Sequence, residues 1–171
     1  MARFVIVLPL APLSTGDEFT VAQWPLHVTL VEPFPTSLAA DDVARLLGGV
    51  EGIGSGAPAI HAAAGDEAMF GRHHDVPVTL VRDGGELAVL RSRTLAALER
   101  AGIGVQPRPD FRPHVTRKQH RRLRPGDRVV LETVALIDMR PPAGGHHRRV
   151  VAAWPLDAAS GASPGAATGP R

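Results

Sequence analysis

The stretch Leu26-His27-Val28-Thr29-Leu30-Val31 decides the fold prediction, because its central triplet returns at His114-Val115-Thr116. Each triplet follows a proline closely and lies in strand-like sequence. With eight histidines in 171 residues, one His-x-Thr triplet can arise by chance, but two copies with the same central valine are not expected to. A lone histidine on a strand is more often structural than catalytic. The repeated triplet reverses that expectation and predicts two similar lobes, each contributing one such strand.

The rest of the chain alternates between strand-like and helix-like segments around these triplets. Pro33 and Pro35 should end the strand of the first triplet. A helix capped by Thr36 or Ser37 should end at Gly48-Gly49, and residues 69–74 should form a loop or short strand. Strands are predicted at 3–8, 26–31, 58–64, 76–82 and 112–118, a second helix at 86–100, and a closing hairpin at 129–139 and 147–154.

This order of elements predicts an α+β fold. We expect residues 1–156 to form a single bilobal domain. Residues 157–171 consist almost entirely of Ala, Gly, Ser and Pro, and should form a poorly ordered tail without a functional role.

The spacing within each triplet has a chemical use. Side chains alternate across a strand, so His27 and Thr29 share one face while Val28 takes the other, and His114 and Thr116 are arranged likewise. If the two strands are neighbours, two imidazoles and two hydroxyls converge on one cleft. In-line displacement at phosphorus needs a base on one side and an acid on the other, and histidine titrates near neutral pH. Threonine hydroxyls would bind the non-bridging oxygens. This chemistry needs no metal.

Composition excludes some other functions. The chain has no cysteine, which excludes disulfides, a thiolate nucleophile and a zinc-thiolate site. No apolar run approaches the length of a membrane span, so we expect no membrane partner and a cytoplasmic location. Residues 108–128 hold eight Arg or Lys against two acids. Arginine forks suit phosphate oxygens, although a solvated basic loop is the alternative interpretation.

The two triplets resemble the paired His-x-Thr motifs of the two-histidine phosphoesterase superfamily, which includes RNA 2',3'-cyclic phosphodiesterases and 2'-5' RNA ligase-like proteins. The first triplet matches the pattern fully; the second matches through Thr116, with Arg117 where the family has an apolar residue. The resemblance covers about residues 3–156. It implies two antiparallel sheets around a central cleft, with helices outside. It also implies hydrolysis of cyclic or 2'-linked phosphodiesters, without a cofactor.

In this interpretation His27 and His114 are the acid/base pair, in either order, and Thr29 and Thr116 bind the phosphate. The substrate would be an RNA end or a small cyclic nucleotide, and we expect a monomer. The alternative is a non-catalytic module that binds RNA ends or nucleotides. Seven aromatic residues and no tyrosine make a poor stacking surface for such a module.

Four further residues are candidate substrate contacts. By alternation Lys118 shares the face of His114 and Thr116, which makes it the preferred phosphate contact. Arg117 turns to the other face and is expected to be solvated, or else to reach back to the ligand. In proteins of this resemblance the loop holding Phe70 and Arg72 borders the cleft, and Phe70 could stack on a base.

Two other histidine clusters are conceivable metal ligands. They are His73-His74-Asp75 and His146-His147. Adjacent histidines on a strand point to opposite faces, and neither cluster has the carboxylate–histidine spacing of a known metal site. We therefore predict no metal site.

Overall fold

The structure is a computed structural model that describes residues 1–54 and 56–157. A short 3₁₀ turn, Val21–Gln23, precedes the strand of the first triplet. In chain order, the other elements are β1 (Ala2–Pro9), β2 (Glu18–Thr20), β3 (His27–Thr36), α1 (Ala40–Gly48), β4 (Ile60–Phe70), β5 (Val76–Arg82), α2 (Glu86–Arg100), β6 (His114–Thr116), β7 (Arg128–Leu131), β8 (Thr133–Asp138) and β9 (His147–Pro155).

The described strands form one sheet in the order β2-β9-β8-β1-β3-β6-β5-β4-β7, and all neighbouring pairs are antiparallel. The predicted α+β class is confirmed. Hydrogen bonds between β3 and β6 join one half of this sheet, β2-β9-β8-β1-β3, to the other half, β6-β5-β4-β7. The described strands therefore form one sheet, and not the two sheets that the resemblance implied. The junction between β3 and β6 is short, with Val28 and Val115 as its registered pair.

Both helices pack against the same side of the sheet. The main core contains Leu47 of α1 and Leu87 and Leu98 of α2, together with the central valines of the two triplets, Val28 and Val115. A smaller apolar cluster lies on the other side of β1. Phe4, Ile6 and Leu8 of β1 belong to the first cluster, and Val5 and Val7 belong to the second. This strand is therefore buried on both faces, which explains its unbroken apolar sequence.

The first triplet's strand is longer than predicted, because β3 continues through Pro33 and Pro35 to Thr36. Its pairing with β1 is irregular in this part, and β6 pairs with it only near Val28. One side of β3 is thus without a strand partner here, and proline is tolerated where no ladder hydrogen bond is needed.

The predicted cap of the first helix is also wrong. Helix α1 begins after Ala39, which makes no side-chain cap. Thr36 is instead the last residue of β3, and its hydroxyl accepts a hydrogen bond from the Leu38 N–H at 3.1 Å. The strand takes the residue that local sequence favoured as a cap, because pairing with β1 extends to Ala2–Thr36.

Three other boundaries differ from the prediction. Strand β4 runs on to Phe70, because β5 pairs with it to its end. Strand β6 contains three residues, not seven. The predicted strand 129–139 is divided at Glu132, since β7 pairs with β4 in one half of the sheet and β8 pairs with β1 and β9 in the other.

The predicted second helix, 86–100, and the closing hairpin partner β9 are found where expected. The predicted tail lies outside the described residues, except for Asp157. Its N–H and carbonyl bond to the backbone of Ala57 and Ala59, at 2.7 and 3.0 Å.

Candidate active site

The two triplets lie side by side at the junction of the sheet. Because Val28 is opposite Val115 in an antiparallel pair, His27 lies opposite Thr116 and Thr29 lies opposite His114. Both valines are buried in the helix-side core, at 0% and 1% exposure. The histidines and threonines therefore project from the other face. His27 and His114 are therefore diagonal neighbours across the strand pair. Residues in that relation lie roughly 7–8 Å apart.

Both imidazoles are oriented by the same backbone contact. His27 Nδ1 donates to the Pro25 carbonyl and His114 Nδ1 donates to the Arg112 carbonyl, each at 2.8 Å and each two residues upstream. A carbonyl only accepts, so Nδ1 carries the hydrogen in both rings. Nε2 is then the nitrogen that neither backbone contact engages, and in the neutral ring it carries a lone pair.

The surroundings of His27 are closed by an aromatic ring and by cations. The indole of Trp24, itself buried, stacks on the imidazole with centroids 4.5 Å apart and planes 20° apart. The Trp24 carbonyl accepts hydrogen bonds from Lys118 Nζ at 3.1 Å and Arg121 Nη2 at 3.2 Å. Lys118 and Arg121 pair with each other across a tight turn that follows the second triplet, and this turn at residues 118–121 holds Trp24 against the histidine of the first triplet.

Burial lowers the pKa of His27 to about 4, although part of the residue remains open to solvent. The hydrogen bond to Pro25 opposes this change, and the positions of Lys118 and His114 add to it. An imidazole prefers its neutral form when burial removes water and positive charges are near. His27 is thus neutral at neutral pH.

The surroundings of His114 are open. Its ring and that of Phe70 form a T-shaped pair, with centroids 4.6 Å apart and planes at 66°, and the Arg112 guanidinium lies 5.0 Å from the centre of the Phe70 ring. A cavity of about 710 Å³ adjoins this side and is lined by His114, Thr29, Phe70, Arg72 and Arg112, among others. Neither His27 nor Thr116 lines it.

The four candidate substrate contacts lie in three different parts of the structure. Phe70 and Arg72 line this cavity, with Phe70 at the end of a strand and not in a loop. Lys118 lies beside His27 instead, where its ammonium is bound to Trp24, and burial followed by Arg121 lowers its pKa to about 8. Arg117 is exposed and lines a separate small cavity with Arg122.

Sequence reasoning missed two residues of this site, Trp24 and Arg91. Trp24 stands three residues before His27, and one of only two tryptophans so near a motif was a usable signal. Arg91 is buried on α2, with 4% exposure. Its position four residues after Leu87 places it on the apolar face of the helix. A charge on that face was the available signal.

The chain is similar to known proteins in sequence and in fold. The sequence profile of the 2'-5' RNA ligase superfamily matches residues 12–150, which contain both triplets. The chain belongs to this superfamily of two-histidine phosphoesterases. The superfamily match covers most of the chain, whereas comparison with curated protein sequences gave no match.

Solved structures of other proteins are similar in fold to this protein. The Thermus thermophilus protein TT0787 has a TM-score of 0.60 and 19% identity, covering 93% of this chain and 100% of its own. Apo LigT of E. coli has a TM-score of 0.59 and 19% identity, covering 91% and 97%. LigT in complex with 3'-AMP has a TM-score of 0.57 and 17% identity, covering 91% and 98%. At these identities the likeness concerns the fold.

No helix within residues 1–54 and 56–157 is both long and apolar enough to cross a membrane.

Proposed function

We propose that this protein is a metal-independent phosphodiesterase that hydrolyses 2',3'-cyclic phosphates, on RNA ends or small cyclic nucleotides, with His27 and His114 as its acid/base pair. One observation carries the proposal. The two histidines lie on paired strands with both Nδ1 atoms bound to backbone carbonyls, so that both Nε2 atoms remain for chemistry on one face. Membership of the superfamily supports phosphoester chemistry. The structural neighbour LigT has been solved with 3'-AMP, ATP and NADP+, which supports a nucleotide ligand.

The reaction adds one water across one P–O bond of the cyclic phosphate. One imidazole takes a proton from the attacking water while the new P–O bond forms. The other imidazole gives a proton to the departing ribose oxygen as its bond to phosphorus breaks. The products are a phosphomonoester and a free ribose hydroxyl. The hydroxyls of Thr29 and Thr116 donate to the non-bridging oxygens, where charge increases in the transition state.

The different surroundings of the two histidines favour one assignment of the acid and the base. His27 is neutral in the free protein, so its Nε2 is ready to take the proton of water. His114 lines the cavity, which has room for a nucleoside. Because the departing oxygen belongs to the nucleoside, we assign His114 as the acid and His27 as the base. Binding of the anionic phosphate raises the pKa of His27, which makes it a stronger base in the complex.

The decisive experiment is a panel of 2',3'-cyclic mononucleotides and oligonucleotides with a 2',3'-cyclic phosphate end, assayed in chelator with the position of the product phosphate determined. We expect turnover of at least one member, lost in His27→Ala and in His114→Ala. Absence of turnover by the wild-type protein across the panel, with binding retained by the double histidine variant, would show a nucleotide-binding module instead.

A further inference from the structure

Arg91 is a buried charge that the proposed chemistry does not use. It lies on α2 with 4% of its surface exposed. Its guanidinium donates to the Leu30 carbonyl, and it forms an ion pair with Glu32, with N–O distances of 2.9 and 3.0 Å. The same guanidinium lies 4.6 Å from the centre of the Phe111 ring. One side chain therefore contacts three separate groups near the site.

These three groups belong to the segments that carry the two histidines. Leu30 directly follows Thr29 in β3, and Glu32 is two residues further along the strand. Phe111 stands three residues before His114, in the segment that leads into β6. Glu32 and Phe111 also line the cavity beside His114. Arg91 thus links the strand of the first histidine with the approach to the second.

The junction between these strands needs such a link. Strand β6 has three residues, and its pairing with β3 rests on Val28 and Val115. A slip of one residue would turn the buried Val28 and Val115 to the opposite face, so the core already specifies which side chains face the cleft. With one registered pair, the distance and angle between the two strands are less constrained away from that pair, and a change in either would move one imidazole relative to the other. The turn at residues 118–121 binds Trp24 and supports the His27 end of the junction, whereas Arg91 lies at the other end.

Stability alone does not explain a buried arginine in this position. Burying a charge such as that of Arg91 removes much hydration, and replacing a buried ion pair with well-packed apolar side chains of similar volume is often neutral or stabilising. We propose that Arg91 is a positioning residue, which holds the segment before His114 against β3 and so sets the separation of the two imidazoles. The kinetic part of its test rests on the proposed function.

The first test compares the double variant Arg91→Met/Glu32→Gln with wild type. We expect the melting temperature to fall by no more than about 10 °C, because both charges are removed together while the Leu30 carbonyl loses a hydrogen-bond donor. We expect kcat to fall about 100-fold, with KM changed less than about threefold, because a small misplacement of catalytic groups costs this much. Arg93→Met is the matched control, since Arg93 is on the same helix, half-exposed and paired to Glu51 at 3.4 Å. It should retain wild-type kinetics. A double variant with wild-type kcat overturns the proposal, as does a loss of activity that only follows the unfolded fraction.

A conservative variant separates charge from geometry. Arg91→Lys keeps the charge but lacks the planar fork that reaches the carbonyl and the carboxylate together. We expect it to fold and to lose about tenfold in kcat, because the alignment and not the charge is lost. Full activity in Arg91→Lys would show that Arg91 serves only to neutralise Glu32, against the proposal.

The second test needs no turnover. Long-range ¹H–¹⁵N spectra report the tautomer of each imidazole, and wild type should show Nδ1–H for both His27 and His114. In Arg91→Met/Glu32→Gln we expect the His114 signals to shift or divide while those of Arg93→Met stay in place. Unchanged signals in the double variant would overturn the proposal. If wild type proves inactive on every substrate, the proposed function fails and this measurement still tests the positioning role.

Discussion

Around His27 the site is closed, whereas around His114 it is open. His27 stacks face to face on the Trp24 indole, and Lys118 and Arg121 donate hydrogen bonds to the backbone carbonyl of Trp24. The ring of His114 meets that of Phe70 in a T-shaped arrangement and lines the cavity. The two triplets have the same sequence and the same backbone contact at Nδ1. The motif therefore determines which nitrogen is available, and the neighbouring side chains determine what each imidazole can do with it.

The cations on the two sides also have different tasks. On the His27 side, Lys118 and Arg121 bind protein carbonyls. On the His114 side, Arg112 lies over Phe70 and, like Arg72, lines the cavity. Burial, with a smaller contribution from the charge of Lys118, keeps His27 neutral, whereas we propose that the cations near His114 bind an anionic ligand. The comparison predicts that substitutions on the two sides will have different kinetic effects.

The largest effect should come from the histidines themselves. His27→Ala and His114→Ala should each lower kcat by about 10²–10⁴-fold, since each removes one proton-transfer step. The double variant should be little worse than either single one, because the two act as a unit. Steady-state kinetics measure this, with His61→Ala, exposed on β4, as the control. A single variant that turns over substrate like wild type would contradict the assignment of His27 and His114 as an acid/base pair.

The burial of His27 should also make the free energy of unfolding depend on pH. Because the pKa of His27 is about 4 in the folded state and near 6.5 in the unfolded state, the unfolded chain binds more protons between these values. The free energy of unfolding should therefore fall as pH drops from about 6.5 to about 4, by at most on the order of 3 kcal/mol. Urea titrations at several pH values measure this. His27→Gln should lack this part of the decrease, and a slope equal to wild type would contradict the burial of His27.

Substitutions of the two aromatic rings should separate binding from catalysis. Phe70→Ala should raise KM for a cyclic mononucleotide about tenfold, because it removes a ring from the cavity wall. Trp24→Phe should leave KM close to wild type and lower kcat several-fold, because it disturbs the ring that positions His27. Kinetics with one substrate decide this. Equal effects on KM in both variants would show that both rings contact the ligand.

The smallest expected effect concerns Lys118. The acid limb of kcat/KM in the wild-type protein should lie near pH 4, where protonation of His27 removes the base. Lys118→Met removes a positive charge, so the pKa of His27 and the acid limb should rise, by less than about one unit because burial remains the main cause. Arg117→Met, exposed and outside the cavity, is the control and should not move the limb. A large loss in substrate binding for Lys118→Met would instead support its predicted contact with phosphate.

Much of the fold could be predicted from the sequence, because it rests on local patterns. Helix α2 matches its apolar periodicity from Glu86 to Arg100, and β1 follows from an apolar run. The errors occurred where a strand partner overrode local preference. Pro33 and Pro35 stay within β3 because the β6 side of that strand is unpaired there. The chain crosses from one half of the sheet to the other at Glu132, which no periodicity reveals.

The sequence by itself determined the two triplets, the alternation that places each histidine with its threonine, and the superfamily to which the chain belongs. Tertiary structure decided that Trp24 covers His27 and that Lys118 lies beside His27 and not beside His114. It also decided that Arg91 reaches both motif segments from α2. Alternation along a strand is a local property of the backbone and can be read from residue order. Burial and the pKa of an imidazole depend on side chains up to about ninety residues away in the chain, such as Lys118 beside Trp24, and only folding brings them together.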